Sequence, residues 1–384
     1  MPNCNTSTKA SGANIAITDS APLSLSATTA TGTLTAVSNG AITQTGAIST
    51  GGLASLTAGA ANDITLTTAG NALASVGIVS GNNVSITEAD GIALATSAVS
   101  GNLTLNSVGA ITQSGTLSVG GASTLTATGD INLAGSSSFT GDVKFNGGAN
   151  VAINDIKSDL NITNGSSATG NLAITSAGVI TDGGTLTVGG NAGFTGTSAT
   201  LDGLAVTGTV GVSVTGDATL VNATALTLSA SSIGGNLSAT ATTGNLTDSG
   251  TVTVGGNAVF NTSGANDDIM LDQTTVTGST RLSTNGATGN ALFTTTGPVV
   301  LNGTTTGGNL TVNTTGNITQ SANLTVGGTT SVTGNNITLA NGGNSFGGDV
   351  GFTGANVSLR DNGALGLSAS TATGTLSIQA AGAV

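Results

Sequence analysis

Histidine, tryptophan and tyrosine are absent from this chain, and cysteine occurs once. Without histidine there is no Ser-His-Asp or Cys-His nucleophile and no imidazole to hold a metal. The lone Cys4 cannot build a disulfide framework, and no apolar segment precedes it as lipid attachment would require. Seven phenylalanines are the only aromatics, so platforms for stacking bases or sugars are few. Charge is scarce too, with five Lys and Arg against seventeen Asp and Glu and a formal net charge of −12. Nucleic acid and anionic membrane surfaces are bound through Lys and Arg, so neither is an expected partner. No stretch approaches the ~20 apolar residues of a membrane helix, and the first residues lack the apolar segment of a signal peptide. Membrane insertion is therefore not expected, and export cannot be read from this N-terminus.

What the chain has instead is an internal repeat. GAITQTGAISTGG begins at Gly40, GAITQSGTLSVGG at Gly109, GVITDGGTLTVGG at Gly178, GNLTDSGTVTVGG at Gly244 and GNITQSANLTVGG at Gly316, and a sixth copy starts at Gly382. The steps are 69, 69, 66, 72 and 66 residues. Residues 12–42 also align without a gap on residues 354–384, with 16 of 31 positions identical. A long unit has been duplicated with few insertions, and such a period means stacked units in place of a globule. The expected organisation is a linker or remnant over 1–11, then a continuous solenoid over 12–384 of about five 66–72-residue units that stops in mid-repeat.

Within a unit the apolar residues come in pairs two apart: Leu117 and Val119, Ile131 and Leu133, Val143 and Phe145, Val151 and Ile153, Leu160 and Ile162, Leu172 and Ile174. Period two puts one face of a strand inside. Gly, Asn, Asp and Ser separate the pairs, as turns require. Low apolar content makes disorder the alternative, but a solvated low-complexity tract has no reason to keep apolar residues at every second position. The fold predicted is all-β, a single-stranded right-handed parallel β-helix. Its coils would hold roughly 23 residues in three short strands, three coils to a unit and about 16 in all. At ~4.8 Å per coil these would stack into a rod of roughly 75 to 80 Å.

Chemistry is harder to find. Polysaccharide-cleaving β-helices can use paired carboxylates, and Asp155 with Asp159 or Asp267 with Asp268 offer such pairs. Their Gly, Asn and Ser surroundings read as turns, where Asp bonds its own backbone. Asn266, Asp267, Asp268 and Asp272 form the densest oxygen cluster, yet no calcium-binding nonapeptide or EF-hand loop is present. Thr-x-Thr pairs such as Thr65 with Thr67, Thr124 with Thr126 and Thr185 with Thr187 read as the outward neighbours of inward Leu. The chain is not expected to be an enzyme, and no catalytic, cofactor or metal residue is assigned.

The GNLTL, GAITQSGTLSVGG, DINL and NVAI segments resemble the repeat region of filamentous haemagglutinin-type adhesins, exoproteins of Gram-negative bacteria exported by two-partner secretion, and related β-strand-repeat surface proteins. The likeness covers residues 12–384. It implies a fibre outside the cell that acts as an adhesin, a biofilm component or a stalk. The Asn-Pro-Asn motifs of the family's secretion domain are missing, since Pro2, Pro22 and Pro298 are the only prolines and none follows Asn. No residue-level function carries over. The leading expectation is the structural shaft of a secreted surface adhesin or fibre. The alternatives are a module that binds glycans or other cell surfaces, and a subunit that self-associates end to end.

Overall fold

The computed structural model describes residues 7–384, so Pro2 and Cys4 lie outside the described residues. Every regular element among them is a short β-strand, and the strands pair in parallel from one turn to the next. The chain is a β-solenoid of about 18 turns of about 20 residues each, close to the expected size and number. It forms two compact units, one ending at Gly190 and the other starting at Asn191. Pairing begins at Ser7–Thr8, which sits in register with Ser24 and Leu25, so the described part of the expected linker already carries strand structure.

Alternation builds each turn. Leu117, Val119, Ile131, Leu133, Val143, Phe145, Val151 and Ile153 are all buried, while Ser118 and Asn132 face out. The Thr-x-Thr pairs flank buried Leu66, Leu125 and Leu186. Inward residues stack in columns from turn to turn: Leu103 pairs with Ser123 and then Val143, Leu105 with Leu125 and then Phe145. Each buried Leu, Ile or Val contributes ~1.5–3 kcal/mol by leaving water, which a core this thin needs from almost every coil.

Three ladders run through each compact unit. In the first unit, one contains Ile15–Asp19, Leu34–Ser38, Ile92–Leu94, Ile111–Gln113, Val151–Asp155 and Leu172–Ser176 among its strands. The facing ladder contains Leu23–Leu25, Ile42–Gln44, Ile64–Leu66, Val84–Glu88, Leu103–Ser107 and Ser123–Ala127. A third, narrow ladder of two- and three-residue strands is discontinuous. It runs through 28–30, 48–50 and 72–73, then restarts at Ser97–Val99 and continues through Leu117–Val119 to 137–139.

Those breaks explain the repeat length. At about 20 residues per turn, a 66–72-residue unit spans about three and a half turns, not the three expected. An odd number of half-turns carries successive copies to opposite sides: Ile42–Gln44 lies in one main ladder and Ile111–Gln113 in the other. The five-residue strands move with the copies. They sit in the first ladder up to Leu34–Ser38, in the second over Val84–Glu88, Leu103–Ser107 and Ser123–Ala127, and in the first again at Val151–Asp155 and Leu172–Ser176. The second compact unit does the same: the long strands Ala218–Asn222 and Leu237–Ala241 lie in one ladder, Leu310–Thr314 and Ala291–Thr295 in the other.

The glycine pair that ends each motif has a packing cause. A Cβ on Gly120 would overlap the carbonyl oxygen of Ser100 one turn away, and on Gly51 that of Thr31, on Gly189 that of Thr169 and on Gly327 that of Gly307. Only glycine lets these corners stack at strand spacing. The outcome expected is that Phe145→Ala destabilises the protein by about 3–5 kcal/mol, whereas Lys144→Ala beside it costs under about 0.5 kcal/mol, measured by urea denaturation followed by circular dichroism.

Candidate functional site

The polar residues that recur with the repeat fall into three sets, and each joins one turn to the next. The outermost is a ladder of Asn and Asp at the corners. Asp63 Oδ1 accepts the N–H of Asn83 at 3.0 Å, Asn83 Oδ1 that of Asn102 at 3.0 Å, and Asn102 Oδ1 that of Ala122 at 2.9 Å. In the second unit the series runs from Asp217 to Asn236, Asn257 and Ser279, and another from Asp268 to Asn290, Asn309 and Thr329. A corner N–H points past the end of its strand, so a short side chain one turn away must satisfy it.

The second set explains the polar residue of the ITQ and LTD motifs. Gln44 Nε2 donates to Asn71 Oδ1 at 2.8 Å, and Asn71 Nδ2 donates back to Gln44 Oε1 at 2.9 Å. Fully buried Asn71 also accepts the Ile48 N–H and donates to the carbonyls of Leu66 and Thr87. Gln320 and Asn344 repeat this arrangement, with bonds of 2.7 and 2.9 Å. In the other two copies with described partners, Gln113 accepts from the Ser137 hydroxyl and Asp248 from the Thr274 hydroxyl.

The third set lies where the narrow ladder breaks. The last inward residue of its last strand has no strand beyond it to accept its N–H, and a side chain from the end of the next long strand does so instead. Glu88 Oε2 accepts from Leu73 at 2.9 Å, Asp155 Oδ1 from Phe139 at 3.2 Å, Asn222 Oδ1 from Val206 at 2.8 Å and Asp361 Oδ1 from Phe346 at 3.0 Å. All four side chains are buried. In the corresponding long strand Ala291–Thr295 a threonine stands at this position, and its hydroxyl is without a partner.

The candidate carboxylates are distributed among these sets. Asp155, expected in a turn, ends the strand Val151–Asp155 and is fully buried, because the break in the narrow ladder needs an acceptor there. Asp159 Oδ1 accepts the Val179 N–H at 2.8 Å. Asp267 accepts from Gly244, Asp268 from Asn290 and Asn266 from Thr288, while Asp272 donates its N–H to Asp248. Among the described residues no three His, Cys, Asp or Glu side chains are placed to share a metal ion.

One stretch departs from the pattern. The turn-to-turn offset is 23 residues between Leu246 and Ile269, as it is between Ser49 and Ala72, but here the intervening Asn266 is the one non-glycine residue with positive φ among those described, at 66°. Beyond it Met270 is 40% exposed and pairs with Leu292, an apolar step in a row that is otherwise Thr227, Thr247 and Thr311. A shallow depression of about 240 Å³ there is edged by Asp268, Asn290, Asn309 and Thr311.

A family model described as repeats of unknown function (DUF5649) matches residues 12–80, 81–146, 148–213, 215–285, 288–353 and 354–384. No curated protein and no solved structure matches the chain. The boundaries at 80/81 and 285/288 fall where the long strands change ladders, between 75–78 and Val84–Glu88 and between Ser279–Asn285 and Ala291–Thr295. Asn71→Ala is expected to cost about 3 kcal/mol or more, since it orphans Gln44 and several buried backbone groups, while Asn102→Ala in the exposed ladder costs about 1 kcal/mol. Urea denaturation of the two variants side by side measures the difference.

Proposed function

Because the chain belongs to the family of repeats of unknown function (DUF5649), whose model covers nearly all of it, we propose that it is a non-catalytic structural shaft within a secreted bacterial surface adhesin or fibre. One observation carries the reading: the polar residues that recur from repeat to repeat are engaged between successive turns. Gln44, Gln113, Asp248 and Gln320 each bond to the neighbouring coil, and so do the corner asparagines. A catalytic or ligand-reading surface keeps polar groups free for its substrate, whereas a shaft turns them on itself. The export route and the cell-surface setting rest on the resemblance to filamentous haemagglutinin-type repeats.

A second reading, a module that binds glycans or another cell surface, is favoured by Met270 and Leu292, where an apolar step bordered by Asp268, Asn290 and Asn309 replaces hydroxyls. Single-molecule pulling of the full chain separates the two in combination with a glycan array. A shaft resists extension and releases length in steps no longer than one 66–72-residue repeat, because the strand pairings join each turn to the next one. Smooth extension without resisted steps would overturn the shaft. Saturable glycan binding lost in Met270→Ser with Leu292→Ser would establish the second reading.

A further inference from the structure

Glu88 is the chain's only glutamate, and it occupies the first of the breaks in the narrow ladder. Its side chain is fully buried. Oε2 accepts the Leu73 N–H, and Oε1 has no partner at all. The equivalent residues are better provided for. Both oxygens of Asp361 accept bonds, from Phe346 and Gly363, and both of Asp155 do, from Phe139 and Lys157 on one side and the Ser158 hydroxyl on the other. The neutral amide of Asn222 donates to the carbonyls of Val206 and Ala225. Glutamate is longer by one methylene, and its second oxygen is left in the apolar interior. An ionised carboxylate with a bare oxygen is costly there, and the neutral acid much less so.

We propose that the junction between the first two repeats is a proton-sensitive joint, in which the buried Glu88 side chain that caps the Leu73 strand end is accommodated best as a neutral carboxylic acid, so that the joint firms as the medium acidifies and loosens as it turns alkaline. The surroundings offer no counter-ion. The strands packed against Val84–Glu88 are Ile64–Leu66, Leu103–Ser107 and Ala72–Ser80, and none carries a charged or titratable side chain. The one charge that bears on Glu88 is Asp90, of the same sign. Burial first, and the Asp90 charge to a lesser degree, push the carboxyl from its ordinary 4.5 up to about 7, against the smaller opposing effect of the Leu73 N–H.

The sign follows from proton linkage. An acid whose folded value is raised keeps its proton in the folded state over a range where the unfolded chain has lost it. The joint is therefore firmest below the unfolded value, weakens as pH rises from 4.5 to about 7, and stays weak above.

Being the single glutamate, Glu88 can be read directly. In full-length protein labelled with carbon-13 glutamate, the one side-chain carboxyl resonance is expected to titrate near pH 7, and a midpoint near 4.5 overturns the proposal. Hydrogen exchange supplies the mechanical side. The protection of the Leu73 amide relative to that of Phe139, measured in one sample, should fall on the order of tenfold or more between pH 5.5 and 8. In Glu88→Gln, which keeps the acceptor without the charge, the ratio should stay flat. A ratio independent of pH in the natural protein, or the same fall in Glu88→Gln, refutes the joint. Should that variant not fold, the carboxyl titration decides alone.

Discussion

Parallel stacking at strand spacing governs everything else in this molecule. A coil that must lie on another coil of the same kind has to present, at each position, a group that tolerates its own counterpart about 4.8 Å away. Apolar residues meet that demand facing in and hydroxyls facing out, which is why Leu105, Leu125 and Phe145 form one column. Charges meet it badly, since like charges would stack on like. The low count of Lys, Arg, Asp and Glu is thus a property of the architecture before it is a clue to partners. Corners obey the same demand, with glycine where backbones touch and asparagine where an N–H needs an acceptor.

How much of this was legible in the sequence depended on the distance over which each signal acts. Alternation is local, and the inward faces at Leu117, Val119, Ile131 and Leu133 followed directly from residues two apart. Coil length is not local. The only strong period belongs to the repeat, and dividing 69 residues by a whole number of coils concealed the half-turn. The buried polar partners were hidden for the same reason, because Gln44 meets Asn71 and Glu88 meets Leu73 only once the pitch is known. A trace of them was in view: the fifth motif position holds Gln44, Gln113, Asp182, Asp248 and Gln320, a restriction no outward-facing residue needs. The neighbours of Asp155 suggest a turn, yet it closes a strand, because the break it serves is set by the next turn and not by the local sequence.

The breaks in the narrow ladder show how a repeat can change sides without opening its core. A strand that ends with nothing beyond it exposes a backbone donor to an apolar interior, at a cost of ~1–3 kcal/mol. A carboxylate or amide from the end of the long strand one turn on replaces the missing strand at Glu88, Asp155, Asn222 and Asp361. Each solution differs in how it treats its remaining polar atoms, so equivalent junctions need not be equivalent in strength. The threonine at position 295 and its unpartnered hydroxyl mark the junction that has gone furthest from this solution.

A unit of three and a half turns also has a parity. Gaining or losing one copy swings everything downstream round to the opposite flank, while gaining or losing two brings it back into phase. Any feature that depends on facing a given way, such as the Met270 edge, is therefore preserved when copies change in pairs and inverted when they change singly. Copy number thus sets orientation as well as length.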